Sequence, residues 1–316
     1  MTTAAAHAQP ASRTVSLRAL PSEEVFVVPV RINGGPRRPF LLDTGATVCA
    51  LFEDSLRRTG LSSDAIAGES RVSGLLGAEI RPTATLASVE IGPLRHEDVR
   101  AVVLPRPKFS DDIDGVIGMN VLSGYAFAFD PKSRRIELTP AEAFEAGRAR
   151  RWDRVRLSAN PYAGPNFGLH FAEGSFDGGE SPVLIDTGTT PSVLNWEAAS
   201  FNRMLRRVER ELRERYKVQG AIETGYPVVR ATMPSIRIGR HLWRQPTMRV
   251  LDLEPLEIFG GAGQPLIIAG ADMLSVRRFV IDFAGDVMYV DPSVRGEPDE
   301  DLAQRRRGAA APADEQ

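Results

Sequence analysis

Residues 39–52 read PFLLDTGATVCALF, so that a single aspartate, Asp43, interrupts an otherwise apolar run. A charged carboxylate in an apolar strand is costly unless it is paired or hydrogen-bonded, and otherwise its pKa rises until the group is neutral. Residues 183–194 read VLIDTGTTPSVL and repeat the pattern around Asp186. Two aspartates in the same tripeptide, each inside an apolar run, call for one common explanation.

The chain carries two copies of a longer unit around these tripeptides. Residues 15–34 and 155–174 correspond at one constant offset, and each copy then reaches its Asp-Thr-Gly. An internal repeat of this length is much harder to obtain by chance than a tripeptide. Two further pairs of segments match in the same order: residues 89–104 with 236–251, and residues 115–130 with 266–282. We therefore interpret the sequence as two homologous lobes.

The segments outside the repeat differ in composition. Residues 139–152, TPAEAFEAGRARRW, are rich in alanine and glutamate and predict a short linker helix that begins near Thr139 and Pro140. The C-terminal residues contain almost no aliphatic or aromatic side chains, which predicts disorder. The sequence thus predicts five regions: a disordered N-terminus over residues 1–13, an N-terminal lobe over 14–140, a linker over 141–153, a C-terminal lobe over 154–293 and a disordered tail over 294–316.

Alternating apolar and polar residues dominate both lobes, as in VFVVPVRINGG at residues 25–35 and AFAFDPKSRRIEL at residues 126–138. Short strands joined by Asn-Gly and Asp-Pro turns predict an all-β, mainly antiparallel fold with a few short helices. One longer helix is predicted in the second lobe, from about Asn195 to Lys217, because apolar residues recur there at helical spacing. Its opposite, charged face is interpreted as solvent-exposed surface rather than as a site for an anionic substrate.

Composition and charge limit the kinds of molecule and compartment that the sequence suggests. The formal net charge is -2, which gives no reason to expect nucleic acid or an anionic membrane as partner. No apolar run approaches the roughly 20 residues that span a bilayer. The single cysteine, Cys49, excludes intrachain disulfides and a cysteine-based zinc cluster, and its apolar surroundings predict a buried, inert thiol. The N-terminal AAAHAQPA is similar to the end of a bacterial export signal, which favours export to the cell envelope or periplasm over the cytoplasm.

The repeated unit resembles that of aspartic proteases of the pepsin and retropepsin class, nearest the bacterial retropepsin-like proteins. The resemblance rests on FLLDTGA with GVIGMNVL in the first lobe, and on VLIDTGT with LIIAGADML in the second. It implies two β-barrel lobes that face a central cleft, with each Asp-Thr-Gly turn near the end of a buried strand. The same resemblance implies a peptide or protein as substrate and hydrolysis without a metal or organic cofactor.

The resemblance assigns the catalytic role to Asp43 and Asp186, which would meet at the cleft. Two carboxyl groups about 3 Å apart cannot both ionise, so such a pair shares one proton. A bound water then loses a proton to the charged aspartate and attacks the peptide carbonyl. The residues expected to fix the geometry of the pair are Thr44, Gly45, Thr187, Gly188 and Thr189.

The supporting residues have different tasks. Glycine lets each turn approach the other lobe without a side chain in the way. The threonine hydroxyls can hydrogen-bond across to the opposite backbone. The residue that follows differs between the lobes, because Thr189 can donate a hydrogen bond to its aspartate whereas Ala46 cannot. We therefore expect two electrostatically unequal aspartates and a mildly acidic optimum of activity.

Substrate-covering flaps in this class are β-hairpins that follow the catalytic turn. The candidate in the first lobe is RVSGLLGAEI, in which Gly74 and Gly77 flank Leu75 and Leu76. Two leucines at a flap tip predict a preference for apolar or aromatic substrate side chains. The candidate in the second lobe contains Tyr226. Either segment is also consistent with an ordinary hairpin.

Two alternatives to a catalytic pair remain at this stage. The two aspartates could serve only to cap turns, or the chain could be a peptide-binding module that keeps the cleft without hydrolysis. A metal site has little support, because the four histidines are scattered without metal-ligand spacing. Both halves of the pair lie in one chain, so we expect an active monomer rather than a dimer of identical chains.

Overall fold

The computed structural model describes residues 14–20, 25–59, 61, 65–74, 77–107, 112–162, 164–203, 205–206, 229–233, 235–251, 259 and 261–295. The described residues form β-strands with a few short helices, so the predicted all-β, mainly antiparallel class is confirmed. Both of the expected disordered termini fall largely outside these ranges. The final strand extends to Arg295, two residues beyond the predicted end of the second lobe.

The first lobe consists mostly of strands. Its strands are β1 Val15–Arg18, β2 Val27–Ile32, β3 Arg37–Leu42, β4 Cys49–Phe52, β5 Ile66–Gly74, β6 Gly77–Ile91, β7 Leu94–Leu104, β8 Gly115–Ile117, β9 Tyr125–Asp130 and β10 Arg135–Pro140. Its helical segments are the 3-10 helix Glu53–Ser55 and α1 Met119–Leu122.

The second lobe has a similar order of strands and helices. Its strands are β11 Asp153–Ser158, β12 Phe171–Phe176, β13 Gly179–Ile185, β14 Val193–Leu194, β15 Val229–Thr232, β16 Ser235–Ile238, β17 His241–Arg244, β18 Thr247–Val250, β19 Ile267–Ala269, β20 Arg277–Asp282 and β21 Val287–Arg295. Its helices are α2 Trp196–Ala199 and α3 Ala271–Leu274.

Strand pairing makes the duplication visible. In the first lobe β3 runs parallel to β8, and β4 pairs with β8 on its other side in the antiparallel sense. In the second lobe β13 and β19 form the same parallel pair, and β14 is the antiparallel partner of β19. The apolar ends of β3 and β13 are buried, as expected for central strands covered on both faces. Each of these strands ends directly before an Asp-Thr-Gly.

One sheet joins the lobes. Its order is β1-β10-β9-β20-β21-β11, with β9 from the first lobe antiparallel to β20 from the second. Phe129 on β9 lies opposite Phe279 on β20. These rings pack with Phe26 and Phe127, at centroid distances from 4.9 to 6.2 Å. The backbone carbonyl of Phe26 accepts a hydrogen bond from Leu42, so this aromatic cluster directly supports the end of β3.

Two helix predictions are corrected by the structure. The linker contains two separate 3-10 helices, Ala141–Ala143 and Gly147–Arg151, instead of one helix, because Thr139 and Pro140 complete strand β10. The long helix predicted from Asn195 is interrupted: α2 ends at Ala199, and residues 200–202 form a turn and a bend before helical residues resume at 203. Residues 207–217 of that prediction lie outside the described residues. Across the described ranges, no helix is both long enough and apolar enough to cross a membrane.

Candidate active site

The two aspartates occupy equivalent places at the ends of central strands. Asp43 follows β3 directly, and its N–H donates a hydrogen bond to the carbonyl of Ile117 on β8 (3.0 Å). Asp186 follows β13, and its N–H donates to the carbonyl of Ala269 on β19 (3.1 Å). Each turn therefore leaves its sheet at the point where a parallel neighbour ends, and the two turns face each other.

The threonines of the two turns bind each other across the lobes. The N–H of Thr44 donates to Oγ1 of Thr187 (3.0 Å), and the N–H of Thr187 donates to Oγ1 of Thr44 (3.1 Å). The Thr44 hydroxyl donates to the carbonyl of Ile185, and the Thr187 hydroxyl to that of Leu42, each at 2.7 Å. Both threonines are fully buried. Four reciprocal hydrogen bonds without access to water make this junction rigid.

Glycine is required in both turns because the opposite carboxyl group occupies the adjacent space. A Cβ atom on Gly45 would overlap the carboxyl group of Asp186, and one on Gly188 would overlap that of Asp43. Each aspartate thus lies against the glycine of the other lobe. The arrangement brings both carboxyl groups to the centre of the interface between the two turns.

Two backbone donors of its own turn hold the carboxyl group of Asp43. Its Oδ1 accepts hydrogen bonds from the N–H groups of Gly45 (2.8 Å) and Ala46 (3.1 Å). Ala46 has no hydroxyl group for the second oxygen. The N–H of Met119 at the start of α1 donates to the carbonyl of Ala46 (2.8 Å), which fixes the far side of the turn.

Asp186 has the same two backbone donors and one more. Its Oδ1 accepts from the N–H groups of Gly188 (2.8 Å) and Thr189 (3.1 Å). Its Oδ2 accepts a short hydrogen bond from the hydroxyl of Thr189 (2.6 Å). A donor to the second oxygen favours the charged form, so the residue after the tripeptide makes the two carboxyl groups unequal.

The electrostatics follow the same asymmetry. Burial, and then the charge of Asp186, raise the pKa of Asp43 well above its ordinary value. Burial also raises the pKa of Asp186, but hydrogen bonds from Thr189 and Gly188 oppose this. The interaction between the two carboxyl groups raises the pKa of Asp43 and lowers that of Asp186. The hydrogen bond from Thr189 therefore favours a charge on Asp186 over a charge on Asp43.

The flap candidates are described only in part. Gly74 and Gly77 face each other at the end of the β5–β6 hairpin, while Leu75, Leu76 and Tyr226 lie outside the described residues. Around this end both strands are largely exposed, and Ile80 leaves 68% of its surface in solvent. The hairpin therefore projects from the body of the lobe.

A pair of contacts behind each turn was not singled out from the sequence. In the first lobe Oδ1 of Asn120 accepts hydrogen bonds from the N–H (2.9 Å) and the thiol (3.2 Å) of Cys49. In the second lobe Oδ1 of Asp272 accepts from the N–H (2.9 Å) and the hydroxyl (2.6 Å) of Ser192. Alignment of the two repeats beyond the tripeptides is the signal that would have found them.

Cys49 is buried as predicted, with about 1% of its surface exposed. Burial raises the pKa of its thiol to about 11, so the group stays protonated and unreactive at neutral pH. Within the described ranges, no group of three or more His, Cys, Asp or Glu side chains could hold a metal ion.

Comparisons with known proteins agree with this geometry. A family model described as aspartyl protease matches residues 28–121. The crystal structure of an aspartic proteinase from Irpex lacteus superposes with a TM-score of 0.53 at 15% identity, over 90% of this chain and 98% of that one. The crystal structure of a retropepsin-like aspartic protease from Rickettsia conorii is 20% identical over 40% of this chain and 89% of that one, with a TM-score of 0.32. No curated protein matches the chain in sequence.

The Irpex lacteus likeness extends over both lobes, and at this level of identity it concerns the fold alone. The family match is independent of it, because it rests on sequence and contains the first Asp-Thr-Gly turn. The chain is therefore similar in sequence to aspartyl proteases over residues 28–121, and its described fold is similar to that of an aspartic proteinase.

Proposed function

We propose that the protein is an aspartic endopeptidase that cleaves peptide or protein substrates with Asp43 and Asp186 as its catalytic pair. The observation that carries the proposal is the reciprocal contact between the turns, in which each carboxyl group lies against the glycine of the opposite lobe. Thr44 and Thr187 fix that contact by hydrogen bonds. Two aspartates that only capped turns would need no contact between the lobes.

The unequal carboxyl groups give each aspartate a role. Asp186, held in its charged form by Thr189, accepts a proton from a water molecule as the water oxygen attacks the carbonyl carbon of the substrate. Asp43 gives its proton to the carbonyl oxygen, which becomes a hydroxyl group. In the second step Asp186 gives the proton that it took from water to the amide nitrogen, a hydroxyl group of the tetrahedral intermediate returns a proton to Asp43, and the C–N bond breaks to leave a carboxylic acid and an amine. The pair ends with one proton, as it began.

The shared proton determines the dependence on pH. Activity requires one proton on the pair and is lost when both carboxyl groups are charged or both are neutral, which gives a bell-shaped profile. Burial raises both pKa values, and Ala46 supplies no hydroxyl group to lower that of Asp43. We expect the optimum at mildly acidic rather than strongly acidic pH.

The test is cleavage of a diverse peptide library from pH 3 to 7, analysed by mass spectrometry, with and without pepstatin. We expect pepstatin-sensitive cleavage by the wild-type chain. Asp43→Asn and Asp186→Asn should each lower kcat about 1000-fold or more, because each removes one acid of a pair that acts as a unit. Circular dichroism should show that both variants stay folded, and removal of one acid relieves repulsion within the pair.

The competing function is peptide binding without hydrolysis. A wild-type chain that binds pepstatin but cleaves nothing in the library would support that alternative and contradict the proposal. Near wild-type turnover by either asparagine variant would contradict the shared-proton mechanism.

A further inference from the structure

The two lobes differ at one equivalent pair of positions behind the catalytic turns. Cys49 and Ser192 each lie six residues after the turn aspartate, and Asn120 and Asp272 are each the second residue of the helix behind it. The first lobe therefore uses a neutral amide with a thiol, whereas the second uses an acid with a hydroxyl. Only the second lobe has a carboxyl group at this place.

In the second lobe this pair forms one end of a clamp. Asp272 accepts both the N–H and the hydroxyl of Ser192, and the Ser192 oxygen in turn accepts a hydrogen bond from the N–H of Gly270 (2.9 Å). The other end is the N–H of Ala271, which donates to the carbonyl of Thr189 (2.8 Å). The segment 189–192 is thus fixed to the start of α3 at both of its ends.

The clamped segment carries the hydroxyl group that distinguishes the two aspartates. Thr189 Oγ1 lies 2.6 Å from Oδ2 of Asp186, a distance typical of a short hydrogen bond to a carboxylate. Such a bond weakens steeply when its length or angle changes. The position of residues 189–192 therefore decides how strongly Asp186 is held in its charged form.

We propose that Asp272 is a positioning residue for the catalytic pair, because it clamps residues 189–192 to α3 and so keeps the Thr189 hydroxyl on Asp186. It does not contact the reacting atoms. The proposal rests on the proposed function in that the pair is taken to be catalytic, and it adds a part of the second lobe that determines the acid side of the pH profile.

Among the residues that the structure describes, few charged or titratable groups lie around the clamp. Asp186 faces the carboxyl group of Asp43, the Thr189 hydroxyl and backbone N–H groups of its turn. Asp272 faces the hydroxyl and N–H of Ser192 and N–H groups at the start of α3. Hydrogen bonds rather than a neighbouring cation thus connect the two acids.

The experiment compares kcat and KM across pH for four full-length variants. Asp272→Ala should lower kcat about tenfold and move the acid limb of the profile roughly one unit to higher pH, because loss of the Thr189 bond raises the pKa of Asp186. KM should change less than about threefold. Asp272→Asn should keep kcat and the acid limb close to wild type, since its amide oxygen can accept the same two hydrogen bonds from Ser192.

The first lobe supplies the matched control. Asn120→Ala removes the equivalent clamp, but Ala46 has no hydroxyl group on Asp43, so the acid limb should stay at the wild-type pH. Ser192→Ala breaks the clamp from the other side without removing a carboxyl group. It should move the acid limb in the same direction as Asp272→Ala, and it keeps the test available if that variant does not fold.

Several results would overturn the proposal. One is an acid limb unchanged in both Asp272→Ala and Ser192→Ala, and another is an equal shift in Asn120→Ala. A shift in Asp272→Asn as large as in Asp272→Ala would show that charge rather than position matters. If the wild-type chain cleaves nothing, the proposed function fails separately, and the titration of the Asp186 carboxyl carbon followed by ¹³C NMR in the same variants still decides the clamp, with a higher pKa expected in Asp272→Ala.

Discussion

At the scale of single residues, the turns of the two proposed catalytic aspartates differ by one methyl group and one hydroxyl group, which Thr189 has and Ala46 lacks. Both aspartates accept two backbone N–H groups at the same distances, 2.8 and 3.1 Å. Only Asp186 receives a further hydroxyl group, from Thr189. We therefore expect Asp43 to keep its proton more readily, because its turn lacks a hydroxyl group at position 46. Ala46 is the residue to change.

Ala46→Thr should lower the pKa of Asp43, because a hydroxyl group donating to its second oxygen stabilises the charged form. The basic limb of the pH profile reports loss of the last proton from the pair, so it should move to lower pH by roughly one unit. The measurement is kcat/KM from pH 3 to 8. Ala46→Val is the control, since it has the same shape without the hydroxyl, and equal shifts in the two variants would contradict the explanation.

At the scale of elements, the lobes use different means to fix the strand behind each turn. Asp114 directly precedes β8 and is buried, with 3% of its side chain exposed. It binds the hydroxyl of Ser55 and the side chains of Arg38, Arg58 and Arg106. Burial alone would raise the pKa of Asp114, but hydrogen bonds from Arg38, Ser55 and Arg58 outweigh it and lower the pKa.

The second lobe fixes the corresponding strand with a neutral side chain. Asn195 caps α2 by accepting the N–H of Ala198 (3.0 Å), and the same oxygen accepts the N–H of Leu266 just before β19 (2.9 Å). Its amide also donates to the carbonyl of Gln264 (2.7 Å). Only the first lobe therefore depends on a buried charge at this place.

Asp114→Asn should lower the free energy of unfolding by about 2–3 kcal/mol at pH 7, because arginines that keep partial contact with water lose a buried partner. The folded pKa of Asp114 is depressed, so its contribution is present above the unfolded value near 3.9 and is lost as pH falls through the folded value. Urea unfolding of wild type and variant at several pH values measures this.

The control for that prediction is an exposed ion pair of the same lobe. Glu97→Gln removes one of the two acidic partners of Arg95, in a pair whose side chains are both about half exposed, and should cost less than about 1 kcal/mol. An Asp114→Asn variant that is no less stable than Glu97→Gln would show that the arginine cluster does not hold the strand.

At the scale of the whole molecule, both aspartate turns belong to one covalent chain, and one sheet contains strands from both lobes. The β9–β20 pairing joins the lobes through backbone hydrogen bonds, with the aromatic cluster on Phe26, Phe127, Phe129 and Phe279 beside it. An active site of this kind does not require a second chain.

We therefore expect an active monomer. Specific activity should stay constant when the protein is diluted from micromolar to nanomolar concentration, since assembly of the pair is intramolecular. Size-exclusion chromatography with light scattering on the same samples should give about the mass of one chain, 34.5 kDa. Activity that collapses on dilution together with a change from dimer to monomer would refute this.

Buried histidines limit the tolerance of the fold to acid. His96, His170 and His241 are each largely buried, and burial lowers the pKa of each. His170 lies where the first lobe has Phe26: each gives its carbonyl to the last strand residue before the aspartate, and His170 packs on the ring of Phe283 at 4.9 Å. Its Nε2 lies 3.8 Å from Asp286 at a turn.

His170→Phe should make the fold more resistant to acid. Below about pH 6.5 the unfolded chain binds a proton on His170 that the folded chain does not bind until a lower pH, so this residue lowers stability as pH falls. The variant should therefore gain stability relative to wild type between pH 7 and pH 4. Thermal unfolding measured across that range checks it, and an advantage that does not grow toward acid would contradict the assignment.

The sequence was most informative where the duplication repeats chemistry. Asp43, Asp186 and the threonines beside them could be found because the same tripeptide interrupts two apolar strands. The linker helix was wrongly predicted because local propensity favours helix at alanine and glutamate, whereas pairing with β9 keeps Thr139 and Pro140 in a strand. The contacts of Asp114 and Asp272 depend on residues distant in sequence, so periodicity gives no sign of them.

Because both lobes belong to one chain, a substitution can occur in one lobe without occurring in the other. A pair assembled from two identical chains places every substitution on both sides of its symmetry axis, so the two acids must start as equals. Here Ala46 lies beside Asp43 while Thr189 lies beside Asp186. Asn120 of the first lobe holds the position that Asp272 holds in the second. This asymmetry within one polypeptide is what the proposed mechanism uses, in which Asp43 is the proton donor and Asp186 the base before any substrate binds.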